Sequence, residues 1–249
     1  MSDPAKLHST LVGGSSAARV LACPGSIPLV GSFIAKKSSA AADEGTAFHM
    51  AVEHVLENDL LPEAIEGMTF HGHLITDEII DECIVPCIQQ FDRIVGTRPF
   101  ELEVSAAFPG IEGAFGTADV VYYTDGGGLL GIMDWKFGVA HKVDVAGNAQ
   151  MMFYLLAQLA RLEVWRPDVE GLSYDATIVQ PRLHHYDSFS FSTEQLREFQ
   201  RTLIDAVGRT DVHKGPHCYF CPAKPICPEK WGKKAERLKN GLARLAALR

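Results

Sequence analysis

The sequence contains no run of about eighteen consecutive apolar residues, the length a helix needs to cross a bilayer. Its opening segment, MSDPAKLHST, lacks the order of basic, then apolar, then small residues that marks a secretory leader. Neither a membrane span nor a signal peptide is expected, and the expected compartment is the cytoplasm. Positive charge is also scarce overall: 23 Lys and Arg stand against 31 Asp and Glu, a net −8, which argues against a surface that binds nucleic acid everywhere. There is no internal repeat and no long low-complexity segment. In a reducing compartment the six cysteines are expected to be thiols or metal ligands rather than disulfides.

What is present is a chain of 249 residues, 47% hydrophobic, long enough to bury a sizeable core as one large domain or one domain with an appended module. Its charge is unevenly spread. From Lys214 to Arg249 there are nine Lys or Arg against two Glu, a net +7, leaving −15 on residues 1–213. A basic tail on an acidic body is either a phosphate-contacting element or a solvated helix.

Residues 116–136, GTADVVYYTDGGGLLGIMDWK, hold the densest chemistry. Two strand-length apolar runs, Val120 to Tyr123 and Leu129 to Met133, flank Asp125 and three glycines, which is hairpin composition. Antiparallel pairing brings Asp119, near the start of the first strand, beside Asp134, near the end of the second, with Lys136 two residues on. Two carboxylates and a lysine at one end of a hairpin suit a divalent cation in hydrolytic chemistry.

The flanking segments read as alternating helices and strands. Residues 8–42 are rich in Ser, Ala and Gly, with Cys23 inside a CPGS run. From Asp43, apolar residues at helical spacing predict an amphipathic helix that places His49 and Glu53 on one face. Residues 59–74 read as loop and 76–95 as a second helix, kinked or broken at Pro86. On it Cys83 and Cys87 are read as core residues. Residues 100–108 alternate as a strand, with Glu101 and Glu103 expected on one face and Leu102 and Val104 on the other. A helix over about 147–162 puts Gln150 and Tyr154 four apart. Strands over 172–180 and 185–191 follow, then a helix capped by Ser192 or Thr193 and running to about 210. Arg182, after the first of these strands, is a candidate phosphate contact. The element order predicts an α/β plan.

Cys218, Cys221 and Cys227 form C-x2-C-x5-C amid prolines and aromatics, too close together to be explained as core packing. Cys23 is the leading candidate for a fourth ligand and His217 the alternative. Four thiolates suit a [4Fe-4S] cluster or zinc equally.

Taken together, these residues resemble the RecB-like branch of the PD-(D/E)XK nuclease superfamily, in particular its iron-sulfur members such as AddB-type and CRISPR-associated RecB-like nucleases. They also resemble a phage and prophage group with an N-terminal CPGS and a helix beginning EGT-x-x-H. The resemblance spans about Arg19 to Pro228. It implies a restriction-endonuclease-like mixed sheet flanked by helices over residues 1–228, with the split cysteines stapling the two ends, and a basic helix over 229–249. It implies that His49, Asp119 and Asp134, with the Trp135 carbonyl and Glu103, hold Mg²⁺ or Mn²⁺, and that Lys136 acts on the attacking water. Cys23, Cys218, Cys221 and Cys227 would hold the cluster, and Gln150, Tyr154 and Arg182 would contact DNA. No proline precedes Asp119, where Ala118 stands, a departure shared by RecB-like members. The implied activity is a DNA exonuclease of phage replication or recombination in a bacterial host cell, working with a helicase or a single-strand annealing protein. The alternative is a DNA-binding or structural module that keeps the fold but cleaves little.

Overall fold

The computed structural model describes residues 11–31, 40–124, 126 and 128–232. Its centre is a five-stranded mixed sheet in the spatial order of the chain: β3 (Phe100–Ala107), β4 (Phe115–Tyr123), β5 (Leu129–Trp135), β6 (Ser173–Gln180) and β7 (His185–Ser192). Strands β3, β4 and β5 form an antiparallel meander; β5 and β6 are parallel, and β6 and β7 antiparallel. The single parallel step needs a crossover, supplied by helix α6 (Ala149–Arg161). A two-stranded ribbon of β1 (Thr69–Phe70) and β2 (His73–Leu74) stands apart.

Each face of the sheet carries its own core. On one face α6 packs with α1 (Gly14–Ala22) and α7 (Thr193–Val207) over Ala118, Val121, Ile132 and Ile178. On the other, α3 (Ala40–Glu57) and the helix running through residues 77–94 cover Val120, Tyr122, Met133 and Val179. Neighbouring residues on β4 thus enter opposite cores, as the two-residue strand period requires. Each large side chain fully buried this way contributes about 1.5–3 kcal/mol relative to exposure.

The helix expected over 76–95 forms but is not broken at Pro86. Thr76 caps it, accepting from the Ile79 N–H at 3.4 Å. It passes from α4 (Asp77–Ile79) through a π-helical turn, Ile80–Ile84, into α5 (Val85–Ile94), with the Val85 N–H reaching back five residues to Ile80 O. A wider turn immediately before Pro86 accommodates a residue that has no N–H to donate. Cys83 and Cys87 lie in the second core, where burial pushes the Cys83 thiol up to about 11 and holds the Cys87 thiol well above the ordinary thiol range.

Two short N-terminal helices, α1 and α2 (Ser26–Gly31), occupy the Ser/Ala/Gly-rich segment, for which no helix is expected from periodicity. The Ser16 side chain opens α1 by accepting from the Gly13 N–H at 2.9 Å. Helices α6 and α7 start on side-chain caps, the second of them expected: Asn148 accepts from the N–H groups of Gln150 and Met151, and Ser192 from that of Gln195.

Strand β3 departs from expectation in one respect. Leu102 packs against the second core and Val104 lies in the first, although residues two positions apart on a strand share a face. Glu103 between them has φ = +49°, a left-handed backbone that reverses which way the chain faces. On β4 the same exchange occurs around Asp119, with Ala118 in the first core and Val120 in the second. The expected shared face of Glu101 and Glu103 is therefore lost. Glu101 turns to Tyr123 Oη at 2.5 Å and to Arg161 at 3.1 Å, away from the residues around Glu103.

Candidate functional site

The hairpin of β4 and β5 brings its acids to one end. Val120 pairs with Met133, so Asp119 and Asp134 follow as neighbours at the open end of the ladder. Both are buried: Asp119 is 8% exposed and Asp134 2%. Asp119 Oδ2 accepts from the Trp135 N–H at 2.7 Å and lies 3.4 Å from His49 Nδ1 on α3. Asp134 turns to the opposite layer. Its Oδ1 accepts from Gln150 Nε2 of α6 at 3.2 Å, and its Oδ2 pairs with Lys136 Nζ at 2.5 Å. One acid thus reaches the helix on one face of the sheet and the other acid reaches the helix on the opposite face.

Among the described residues, His49, Glu103 and Asp119 each offer a ligand atom within 4.8 Å of the other two. Glu103 joins this group through its positive φ, a conformation that costs a non-glycine residue about 1–3 kcal/mol and persists where the surroundings impose it. The concentration of negative charge has a titration consequence. Burial, then the nearby carboxylates of Asp134 and Glu103, hold the Asp119 carboxyl well above the usual carboxylate range, against the pull of Lys136 and the Trp135 N–H. A cation among these oxygens would relieve that repulsion.

The surrounding packing fixes the polar groups. The Phe137 ring stands edge-on to His49 at 5.2 Å and to Phe48 at 5.3 Å. Gln150 Nε2 also donates to Tyr154 Oη at 2.9 Å. Burial and the Asp134 carboxylate push the Tyr154 phenol up, keeping it a neutral hydroxyl. The Tyr154 ring lies so close to β4 that a Cβ on Gly116 would stand 2.7 Å from its Cε1. Arg182 sits in the turn Pro181–Leu183, pairs with Glu44 Oε2 at 2.7 Å and lies over the Phe48 ring at 5.9 Å. It is joined to the base of α3, with its guanidinium already engaged by a carboxylate.

A second group, Asp144, His185 and Asp187, has the same ligand spacing and no counterpart in the sequence reading. Asp144 is a loop residue and the others alternate on β7, so only the folded sheet unites them. Asp187 Oδ2 accepts from the Val145 N–H at 2.7 Å, and His185 Nε2 lies 3.2 Å from Val143 O. With Gln180, which bonds both Val143 N and His141 O, they tie the 138–148 loop to β6 and β7 ahead of Gln150.

The segments carrying Cys23 and Cys218 meet, although among the described residues no three of Cys23, Cys218, Cys221 and Cys227 bring their sulfurs within 4.8 Å of one another. α1 packs against the turn Pro216–Cys218, and the Gly25 N–H donates to Asp211 O at 2.8 Å. A Cβ on Gly25 would stand 2.4 Å from Thr210 O, so the glycine of CPGS is what permits this approach. Cys23 Sγ accepts from the His213 N–H at 3.4 Å, while Cys218 Sγ lies 3.9 Å from His213 O. The Arg19 guanidinium is within electrostatic reach of both Cys221 and Cys23: burial lowers its pKa and the two sulfurs raise it. Cys83 and Cys87 lie in the other core. Most of the expected basic helix lies in residues 233–249, outside the described residues; residues 228–232 are helical.

No helix among the described residues is long and apolar enough to cross a membrane. The family model described as "Protein of unknown function (DUF2800)" matches residues 8–248, and the chain belongs to that family. Among solved structures, it is similar to an alkaline exonuclease (LHK-Exo) from Laribacter hongkongensis, at 11% identity over 96% of both chains with a TM-score of 0.39. It is similar to LHK-Exo in complex with dAMP at 11% identity over 95% of both chains, TM-score 0.39. The likeness to SSO0001 is 14% identity over 86% of this chain and 94% of that one, TM-score 0.36.

Proposed function

We propose that this DUF2800 member is a metal-dependent DNA nuclease that hydrolyses phosphodiester bonds from strand ends, in phage or prophage replication or recombination. The observation that carries the reading is the meeting of His49, Glu103 and Asp119 within ligand distance of one another, beside the Asp134 and Lys136 pair. The donor set fits a hard divalent cation, Mg²⁺ or Mn²⁺: carboxylate oxygens with one imidazole, in a site whose acids repel one another without it.

His49, Glu103 and Asp119 would hold the ion, with Asp134 and the Trp135 carbonyl at its margin. When bound, the ion supplies Lewis acidity to the phosphate and its attacking water. The chain's own groups do the rest. Lys136, anchored by Asp134, presents positive charge and a proton-handling amine to the attacking water and the phosphate oxygens. Gln150, tied at once to Asp134 and to the Tyr154 hydroxyl, forms a neutral polar wall against which a strand is positioned. Phe137 holds the His49 ring at its angle.

Cys23, Cys218, Cys221 and Cys227 would bind a [4Fe-4S] cluster or zinc, closing the N-terminal helices onto the segment after α7. The approach of Cys23 to His213, and of Gly25 to Asp211, supports this reading.

The test is degradation of end-labelled single- and double-stranded DNA with Mn²⁺ or Mg²⁺, comparing wild type with Asp134→Ala and Lys136→Ala. Cleavage that falls about 10²–10⁴-fold in Lys136→Ala is the expected result. Unchanged cleavage in both variants overturns the assignment. Binding without cleavage by the wild type would make the chain a DNA-binding module that retains the fold.

A further inference from the structure

The segment carrying Cys218, Cys221 and Cys227 holds large aromatic side chains in solvent. Tyr219 is 70% exposed and Phe220 77%, and Trp231 follows at 36%. Tight turns cause this: the Cys218 N–H bonds Gly215 O and the Tyr219 N–H bonds Pro216 O, both at 3.0 Å, so the two residues between Cys218 and Cys221 project outward. The Tyr219 and Phe220 rings meet edge to face with centroids 4.6 Å apart, so each ring keeps at least one face free of the other.

Each aromatic site carries a cation. Lys224 Nζ stands 5.4 Å from the Tyr219 ring centre and Lys230 Nζ 4.6 Å from that of Trp231. The two pairs are joined, because Trp231 Nε1 donates to Lys224 O at 2.8 Å. Lys214 lies on the same segment, 3.8 Å from Glu229. This is where the chain changes sign, from −15 over residues 1–213 to +7 beyond. Exposed π-faces flanked by ammonium groups complement a ligand that alternates flat bases with phosphates, and the faces of its bases are open only when the strand is unpaired.

We infer that Tyr219, Phe220 and Trp231, with Lys224 and Lys230, form a stacking platform for single-stranded nucleic acid. The inference rests on the nuclease reading for its ligand class and adds the form of strand that is held. Tyr219 and Phe220 receive bases and the lysines take the adjoining phosphates. The platform lies on the segment after α7, not on the β4–β5 hairpin, so binding and cleavage separate experimentally.

The test is fluorescence anisotropy of labelled oligo-dT and of a blunt duplex of equal length. It uses the full chain in Ca²⁺ buffer without Mg²⁺ or Mn²⁺, titrated with salt. The double variant Tyr219→Ala/Phe220→Ala is expected to weaken oligo-dT binding about tenfold or more, with duplex binding and thermal midpoint unchanged. Tyr219→Trp/Phe220→Trp is expected to retain binding. The Lys224→Gln/Lys230→Gln protein is expected to lose about one unit of salt slope per lysine. The inference is overturned if the wild type does not bind oligo-dT, if the alanine variant binds it as the wild type does, or if Tyr219→Leu/Phe220→Leu binds equally well. Binding to phosphatidylglycerol vesicles in place of oligo-dT also overturns it and makes the face a membrane contact. None of these results bears on cleavage, which stands or falls with Asp134 and Lys136.

Discussion

The backbone N–H of Trp135 donates to the carboxylate of Asp119, Oδ2, at 2.7 Å, so a side chain of β4 satisfies the last N–H of β5. The same carboxylate faces His49 at 3.4 Å. A structural role and the proposed metal-directed one therefore fall on one residue, and substitutions separate them. Asp119→Asn keeps an oxygen acceptor, whereas Asp119→Ala leaves a buried donor unmatched, at about 1–3 kcal/mol. Thermal melts are expected to rank Asp119→Asn above Asp119→Ala by that margin. Adding Mn²⁺ is expected to raise the midpoint of the wild type and of neither variant.

Glu103 occupies a left-handed conformation in which glycine is at ease. Glu103→Gly is expected to leave stability unchanged or to raise it by about 1 kcal/mol. Calorimetric Mn²⁺ affinity and cleavage are expected to fall sharply. Glu101→Gly, two residues away in ordinary strand geometry, is expected to lose stability and to retain Mn²⁺ affinity.

Gly116 lies under the Tyr154 ring, where a methyl group would stand 2.7 Å from Cε1 and 3.1 Å from Phe153 Cε1. Gly116→Ala forces Tyr154 to move, and with it Gln150 and the Asp134 bond. The expected cost is about 1–3 kcal/mol in chemical denaturation. Cleavage is expected to fall at temperatures where the variant is still fully folded.

Glu101 accepts from Tyr123 and Arg161, and these bonds, the Tyr123 one first, lower its pKa. A lowered folded-state value makes the contribution present above the unfolded value and lost as pH falls through the folded one. The midpoint difference between wild type and Glu101→Gln is thus expected at about pH 7 and expected to vanish on acidification below the ordinary Glu range near 4.5. A difference that persisted in acid would place the effect in packing rather than charge.

For the cysteines, anaerobic purification with iron and zinc analysis is the check. Cys23→Ser and Cys221→Ser are expected to lose bound metal and to loosen the N-terminal helices toward protease. Cys87→Ala, whose thiol is held protonated in the second core, is expected to keep the metal. A colourless, iron-free, zinc-loaded wild type would remove the iron-sulfur assignment and leave the staple.

Local chemistry was enough to read the meeting of Asp119 and Asp134, because hairpin pairing over a short turn leaves little freedom in register. The helices bearing His49, Gln150 and Tyr154 were legible because apolar spacing sets their buried face, and the start of α7 was legible because Ser192 is a capping residue. The short helix Gly14–Ala22 was not, since its nine residues are too few for a clear period and it is held by packing on α6 and α7. Nor was the orientation of Glu103, because strand alternation is a rule about unbroken extended backbone, and one positive φ cancels it without a mark in residue type. The gathering of Asp144, His185 and Asp187 depends on how a loop lies over β7, a contact between segments distant in sequence. Residue types and local pairing alone were enough to name the groups able to act at the hairpin's end. The tertiary structure decided which of them face one another, because side-chain direction across layers is set by the packing of two cores that no local pattern encodes.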